Sequence, residues 1–164
     1  MSDDTNQRKP KTYGVLPPEV VRGLDGLTLL QRWRTGEWPS PPISEGFDFD
    51  LIGVERGRVT FRGQPSWRFL NPLGGIHGGW YATMLDSCMG CAVHSTLPKG
   101  VAYVSAELKV NFIRAIPADG GPIEAIGHVT HSGRRMAFAE GKLVDAAGKL
   151  YATGSTTCFV FEAE

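Results

Sequence analysis

The chain has 164 residues, enough for one domain that buries roughly two-thirds of its unfolded surface without disulfides or metal. Seventeen Lys and Arg balance seventeen Asp and Glu, which excludes a global electrostatic pull on nucleic acid or an anionic membrane. Three cysteines, a polar start from Met1 to Pro10 and the absence of any apolar run of about 18 residues predict a cytoplasmic chain with reduced thiols and no membrane span.

In chain order, residues 1–18 read as a flexible tail, polar and then punctuated by Lys9-Pro10-Lys11 and Pro17-Pro18. Residues 19–45 read as a helical extension. Val20, Val21, Leu24, Leu27, Leu30 and Trp33 recur at three- and four-residue spacing until Pro39, Pro41 and Pro42 stop the helix. Residues 46–164 then form the main domain. Phe47–Glu55 and Arg58–Arg62 predict a hairpin around Arg56-Gly57, followed by a glycine-rich loop, Asn71-Pro72-Leu73-Gly74-Gly75-Ile76-His77-Gly78-Gly79. Trp80 to about Leu97 is apolar on most sides, the pattern of a buried helix, and Pro98-Lys99-Gly100 ends it.

Four strands complete the expected fold. In the first, Val104, Ala106, Leu108, Val110 and Phe112 alternate with Ser105, Glu107, Lys109 and Asn111. Ile123–His131, Met136–Val144 and Leu150–Phe161 follow, separated by Gly-containing turns, and read as an antiparallel meander. The implied class is α+β: a long central helix wrapped by a curved antiparallel sheet of about six strands, with an extra N-terminal helix.

The chemistry concentrates at the start of the buried helix. Gly74, Gly75, Gly78 and Gly79 allow a ligand to touch main chain, and the first amides of a helix lack internal partners at its positive end. Such a tip binds an oxyanion, although tight loop-to-helix packing would also use glycines. Asp86 lies inside the apolar helix, where an unpaired carboxylate costs several kcal/mol, so it requires either a partner or a purpose. Eight residues of helix span about 12 Å, so Asp86 and Gly78 of one chain cannot act on one carbonyl. A shared site would need two subunits with antiparallel central helices related by a two-fold axis.

Asn71, His77-Gly78-Gly79 and Asp86 stand in one order and spacing. That set resembles the Asn…His-Gly-Gly…Asp signature of the PaaI-like branch of hotdog-fold acyl-CoA thioesterases, in the 4-hydroxybenzoyl-CoA thioesterase superfamily. The likeness runs from about Gly46 to Phe161 and includes Val104–Phe112, the Ser132-Gly133-Arg134-Arg135 turn and Gly148–Ala152. The resemblance implies hydrolysis of acyl-CoA or aryl-CoA thioesters without metal or cofactor, in a homodimer or a dimer of dimers. Within it, the Gly78 amide would hold the oxyanion, Asn71 would position thioester or water, and Asp86 from the partner would act as general base or nucleophile. His77 would shape the loop, and Ser105 would help place water.

Other signals are open to plain readings. Cys88, Cys91 and His94 lie mid-helix, where small buried residues suit better than a metal or redox pair. Arg114, Arg134 and Arg135 would contact coenzyme A phosphates or simply end strands in solvent. His128 and His131 read as surface positions. Trp33 would lie over the pocket as a lid, and Trp67 or Trp80 would line it, unless all of them only pack. An acyl-CoA hydratase or dehydratase and a non-catalytic acyl-CoA binding module are the competing functions on the same fold; Gly74 stands where the hydratase branch would need histidine.

Overall fold

The computed structural model describes residues 11–163. Three short helices, α1 (Pro18–Gly23), α2 (Gly26–Arg34) and α3 (Pro42–Gly46), precede β1 (Phe49–Glu55) and β2 (Arg58–Gly63). A single 3-10 turn at Trp67–Phe69 leads into α4 (Gly78–His94), and β3 (Val101–Phe112), β4 (Ile123–Ser132), β5 (Met136–Val144) and β6 (Leu150–Glu162) follow. The strands form one antiparallel sheet in the order β1-β2-β4-β5-β6-β3, curved around α4. This is the hotdog fold.

The last four strands are not a simple meander. β3 pairs with β6 at the sheet edge, and β4 pairs instead with β2. The link 113–122 carries the chain from one side to the other and is pinned by Tyr81, whose hydroxyl donates to the Arg114 carbonyl (3.1 Å) and accepts from the Ile116 amide (2.7 Å). Connection length is the reason: a link of that size crosses the sheet, whereas a two- to five-residue turn compels neighbours to pair.

The central helix lies on the sheet because the sheet lacks side chains beneath it. Gly127 pairs with Gly141, and Gly141 with Gly154, so three glycines make a row across β4, β5 and β6. A Cβ at Gly127 would run into the Cys88 carbonyl, one at Gly141 would stand 2.9 Å from Met89 Cγ, and one at Gly154 would stand 3.3 Å from Leu85 Cδ1. Leu85, Cys88, Met89, Ala92 and Val93 are consequently all buried.

The N-terminal extension differs from the single helix the periodicity predicts. Leu24 is extended, and Asp25 caps a new helix by accepting from the Thr28 amide (3.0 Å) and hydroxyl (2.7 Å). The break lets Gly26 dock on the end of α4: its amide donates to the Leu97 carbonyl (3.1 Å), and a Cβ there would strike the His94 carbonyl. Of the expected tail, Met1–Pro10 lie outside the described residues. Lys11 pairs with Asp50, and Tyr13 bridges to Ser40.

Replacing Gly127 by Ala is expected to lower stability by about 1–3 kcal/mol or more, since the backbone of α4 would have to move. Gly23→Ala, where a Cβ meets nothing, serves as the control, and thermal melts of the two variants compare them. A second expectation concerns pH. Burial holds the His94 imidazole below its usual value of 6.5, partly countered by Asp25, and its Nδ1 has no hydrogen-bond partner among the described residues. The neutral ring is therefore the folded form, and stability falls as pH drops below about 6.5, where the unfolded chain protonates first. Tm measured between pH 8 and 5 should fall less steeply for His94→Phe than for the wild type, which needs about 6.5 as the upper edge of the difference.

Candidate active site

The loop before α4 is built by Asn71. Its amide donates to the Gly75 carbonyl (2.8 Å), its carbonyl accepts from Gly74 (2.9 Å), and its side-chain Oδ1 accepts from the Leu73 amide (2.9 Å) and the Gly75 amide (3.2 Å). Gly74 sits at φ +82°, a conformation open to glycine. The His77 amide then donates to the Phe69 carbonyl (2.7 Å), which fixes where α4 begins. Asn71 thus holds the loop through its oxygen, and Nδ2 takes no part in these bonds.

His77 caps α4. Its Nδ1 accepts from the Gly79 amide (2.9 Å), and its carbonyl accepts from the Trp80 amide (2.9 Å). Of the first three helix amides, only that of Gly78 has no acceptor among the described residues. An imidazole whose Nδ1 accepts a bond carries its proton on Nε2, so the exposed edge of the ring is a donor. Gly78 faces a cleft of about 390 Å³ with Ile76, Tyr81, Phe112, Ile113, Arg114 and Ala115. A Cβ at position 78 would lie 3.1 Å from Phe112 Cζ, so any larger residue there would press on the Phe112 ring beside this amide.

Asp86 is half-buried further along α4, and its Oδ1 accepts from the Ser105 hydroxyl at 2.9 Å. Strict alternation along β3 would turn Ser105 to the face opposite Leu108. A bulge between Ser105 and Glu107 shifts the register instead. Ser105 pairs with Cys158 and Leu108 with Thr156, two positions on the same helix-facing side of β6. Val104 moves to the outer face opposite Phe159, and both are 52% exposed.

One protomer therefore holds two separate polar groupings. Asn71, His77 and Gly78 meet at the helix tip, and Asp86 meets Ser105 about 12 Å along the axis. Arg114 shares the Gly78 cleft, its guanidinium donating to the Leu150 carbonyl at 2.6 Å. Arg134 and Arg135 are exposed in the turn after Ser132, which bonds Thr96 beyond the C-terminal end of α4. The three arginines do not gather in one protomer.

The remaining signals have structural explanations. Burial pushes the Cys88 thiol far up and the Cys91 thiol up to about 12, so neither is a thiolate near neutrality. No three potential ligands among the described residues come together to hold a metal. His128 lies beside Glu140, and the His131 ring packs tilted against Phe138. Trp33 is not a lid: it packs on Phe61, and its Nε1 donates to Ser40 Oγ at 3.0 Å. Trp67 is 78% exposed. The sequence gives little warning of a second cleft, of about 500 Å³, where Gly46, Phe47, Arg68, Phe69 and Leu70 meet His77, Gly79 and Trp80. Its members are far apart in the chain, and single aromatics carry no periodic signal.

Residues 73–152 match the thioesterase superfamily, and the chain belongs to that family. Phe47, Arg68 and Phe69 lie outside the matched segment. The chain is 30% identical over 109 residues to acyl-coenzyme A thioesterase 13 of Homo sapiens, covering 65% of this chain and 76% of that protein. It is 28% identical to the phenylacetic acid degradation-related protein from Ralstonia eutropha JMP134, with a TM-score of 0.72 over 79% of this chain and 98% of that one. The E. coli PaaI protein shares the fold, with a TM-score of 0.73 at 18% identity over 84% of this chain and 96% of that one.

His77→Ala is expected to destabilise α4 by about 0.5–2 kcal/mol through loss of the cap, while His77→Asn, a good capping residue, should recover most of it. Thermal unfolding of both variants gives the comparison; equal losses would show that the ring matters by packing alone.

Proposed function

We propose that this chain hydrolyses acyl-CoA or aryl-CoA thioesters at two equivalent sites, each combining the α4 tip of one protomer with Asp86 of its partner. The observation that carries this reading is the Gly78 amide, free of any acceptor among the described residues, in a cleft with room for a ligand, while the carboxylate on the same helix is too far away to serve it.

The unpaired edge of β3 supports the shared site. β3 is an edge strand, and it exposes apolar side chains along its length, with Val104 at 52% and Phe112 at 60%. A long apolar edge invites pairing with another strand. Association of β3 with its symmetry mate would run the sheets together and set the two α4 helices antiparallel. Each helix tip would then face the carboxylate end of its twin. A further pairing of dimers, a cytoplasmic location and the division at residue 46 into extension and catalytic domain belong to the same reading.

The Gly78 N–H polarises the thioester carbonyl and then holds the oxyanion. Ser105 occupies Oδ1 of Asp86, which orients the carboxylate and leaves Oδ2 to take a proton from water. The water oxygen attacks the carbonyl carbon, and the tetrahedral intermediate collapses with cleavage of the C–S bond. The coenzyme A thiolate leaves and takes up a proton. Asn71 keeps the loop in shape and offers Nδ2 to the substrate or water, and the His77 Nε2–H is a second donor nearby. Arg114 stands where it can meet a phosphate-bearing arm; Arg134 and Arg135 would contribute from the partner's side.

Asp86→Asn should reduce kcat by about 10²- to 10⁴-fold, the usual contribution of a general base, with substrate binding retained. Thiol release from acyl-CoA measures the first, and ligand-induced thermal stabilisation the second. Mixing Asp86→Ala with Asn71→Ala protein under conditions of subunit exchange should restore activity, because the hybrid dimer has one intact site. Exchanged hybrids without activity would defeat the two-chain site.

A further inference from the structure

The α4 tip is bordered by two clefts of different character. Gly78 lines the first, with Arg114 and the chain leaving β3, whereas His77 and Gly79 line the second. The second cleft is walled by Phe47, Phe69, Leu70 and Trp80, and Phe47 and Phe69 lie with their ring planes 3° apart and their centroids 6.1 Å apart. Arg68 stands at this cleft with its guanidinium 5.8 Å from the Phe69 ring. The two arms of an acyl-CoA differ in the same way. One is amide-bearing and ends in phosphates, and the other is an acyl group whose burial is favourable in proportion to its apolar area.

We infer that the acyl arm enters the Phe47–Phe69–Trp80 cleft and that Phe47, at the junction between the N-terminal extension and β1, sets the size of the acyl group accepted. This rests on the thioesterase reading above. The position of Phe47 follows from the extension: α3 ends at Gly46, and the Phe47 carbonyl accepts the Trp80 Nε1–H at 3.0 Å. That bond ties the segment before β1 to a buried side chain in the first turn of α4. The extension is thus joined to the helix tip, and Phe47 is fixed as one wall. Phe47, Arg68 and Phe69 line one side of the cleft, so a change of size at Phe47 alters the space open to an acyl group.

Gly46 gives the test its cleaner variant. Gly46 lines the cleft and a Cβ there meets nothing within 4 Å, so a larger side chain at 46 is added beside the cleft without displacing the fold. Gly46→Leu should fill the cleft, and Phe47→Ala should enlarge it while keeping the backbone carbonyl that binds Trp80. The measurement is kcat/KM, by thiol release, for butanoyl-, octanoyl- and dodecanoyl-CoA, with folding checked by thermal melts. In Gly46→Leu the octanoyl-to-butanoyl ratio is expected to fall by about tenfold or more, and in Phe47→Ala the dodecanoyl-to-butanoyl ratio to rise by a similar factor, as expected when a few methylenes lose or gain space. If Phe47→Ala melts early, Gly46→Leu alone decides. Ratios unchanged in Gly46→Leu, or a selectivity that moves with Phe112→Leu instead, overturn the cleft assignment while the hydrolase reading stands. A wild-type protein that releases thiol from none of the three, nor from benzoyl- or phenylacetyl-CoA, overturns both.

Discussion

The structure depends on one close contact, the backbone of α4 lying against the glycine row of β4, β5 and β6. Gly127, Gly141 and Gly154 are neighbours across the sheet; a Cβ at Gly127 would strike the backbone of α4, and one at Gly141 or Gly154 would press on Met89 or Leu85. Interiors are close-packed, so a helix that approaches a sheet this nearly is fixed in depth and in rotation. The rotation decides where the carboxylate of α4 points. With Leu85, Cys88, Met89 and Ala92 turned into the sheet, Asp86 is left on the flank beside β3, within reach of Ser105.

The helix tip is prepared in the same spirit, by removing competitors for one amide. His77 spends its ring nitrogen on Gly79 and its carbonyl on Trp80, and Asn71 spends its side-chain oxygen on the loop. A histidine and an asparagine that look catalytic by residue type act first on main chain, and their effect is a rigid donor at Gly78. Rigid donors are valuable because their reorganisation is complete before the reaction begins. The cost falls on the protomer, which holds donor and carboxylate on one helix at a separation that a single thioester carbonyl cannot bridge.

The N-terminal extension is joined to both ends of α4. Gly26 meets the C-terminal end at Leu97 and His94, and Phe47, just past the extension, ties its end to the first turn through Trp80. Trp33 packs on Phe61 in between, so the extension is part of the core.

Much of this was legible in the amino-acid order alone, because it rests on local patterning. The buried helix shows in residues apolar on most sides, the strands in alternation, and the candidate site residues in the spacing of Asn71, His77-Gly78-Gly79 and Asp86. The separation of Gly78 from Asp86 needs only the helical rise. Tertiary structure decided what depends on contacts between distant segments. It placed β3 beside β6, since a link such as 113–122 can reach several edges and pairing energy selects one. It broke the first helix at Asp25, since docking on α4 outweighs helical continuity. The bulge at Ala106 turned Ser105 toward the helix, where alternation alone would have turned it away. It also assembled the Phe47 cleft from three remote stretches, because a pocket wall is a property of packing and leaves no period in the chain.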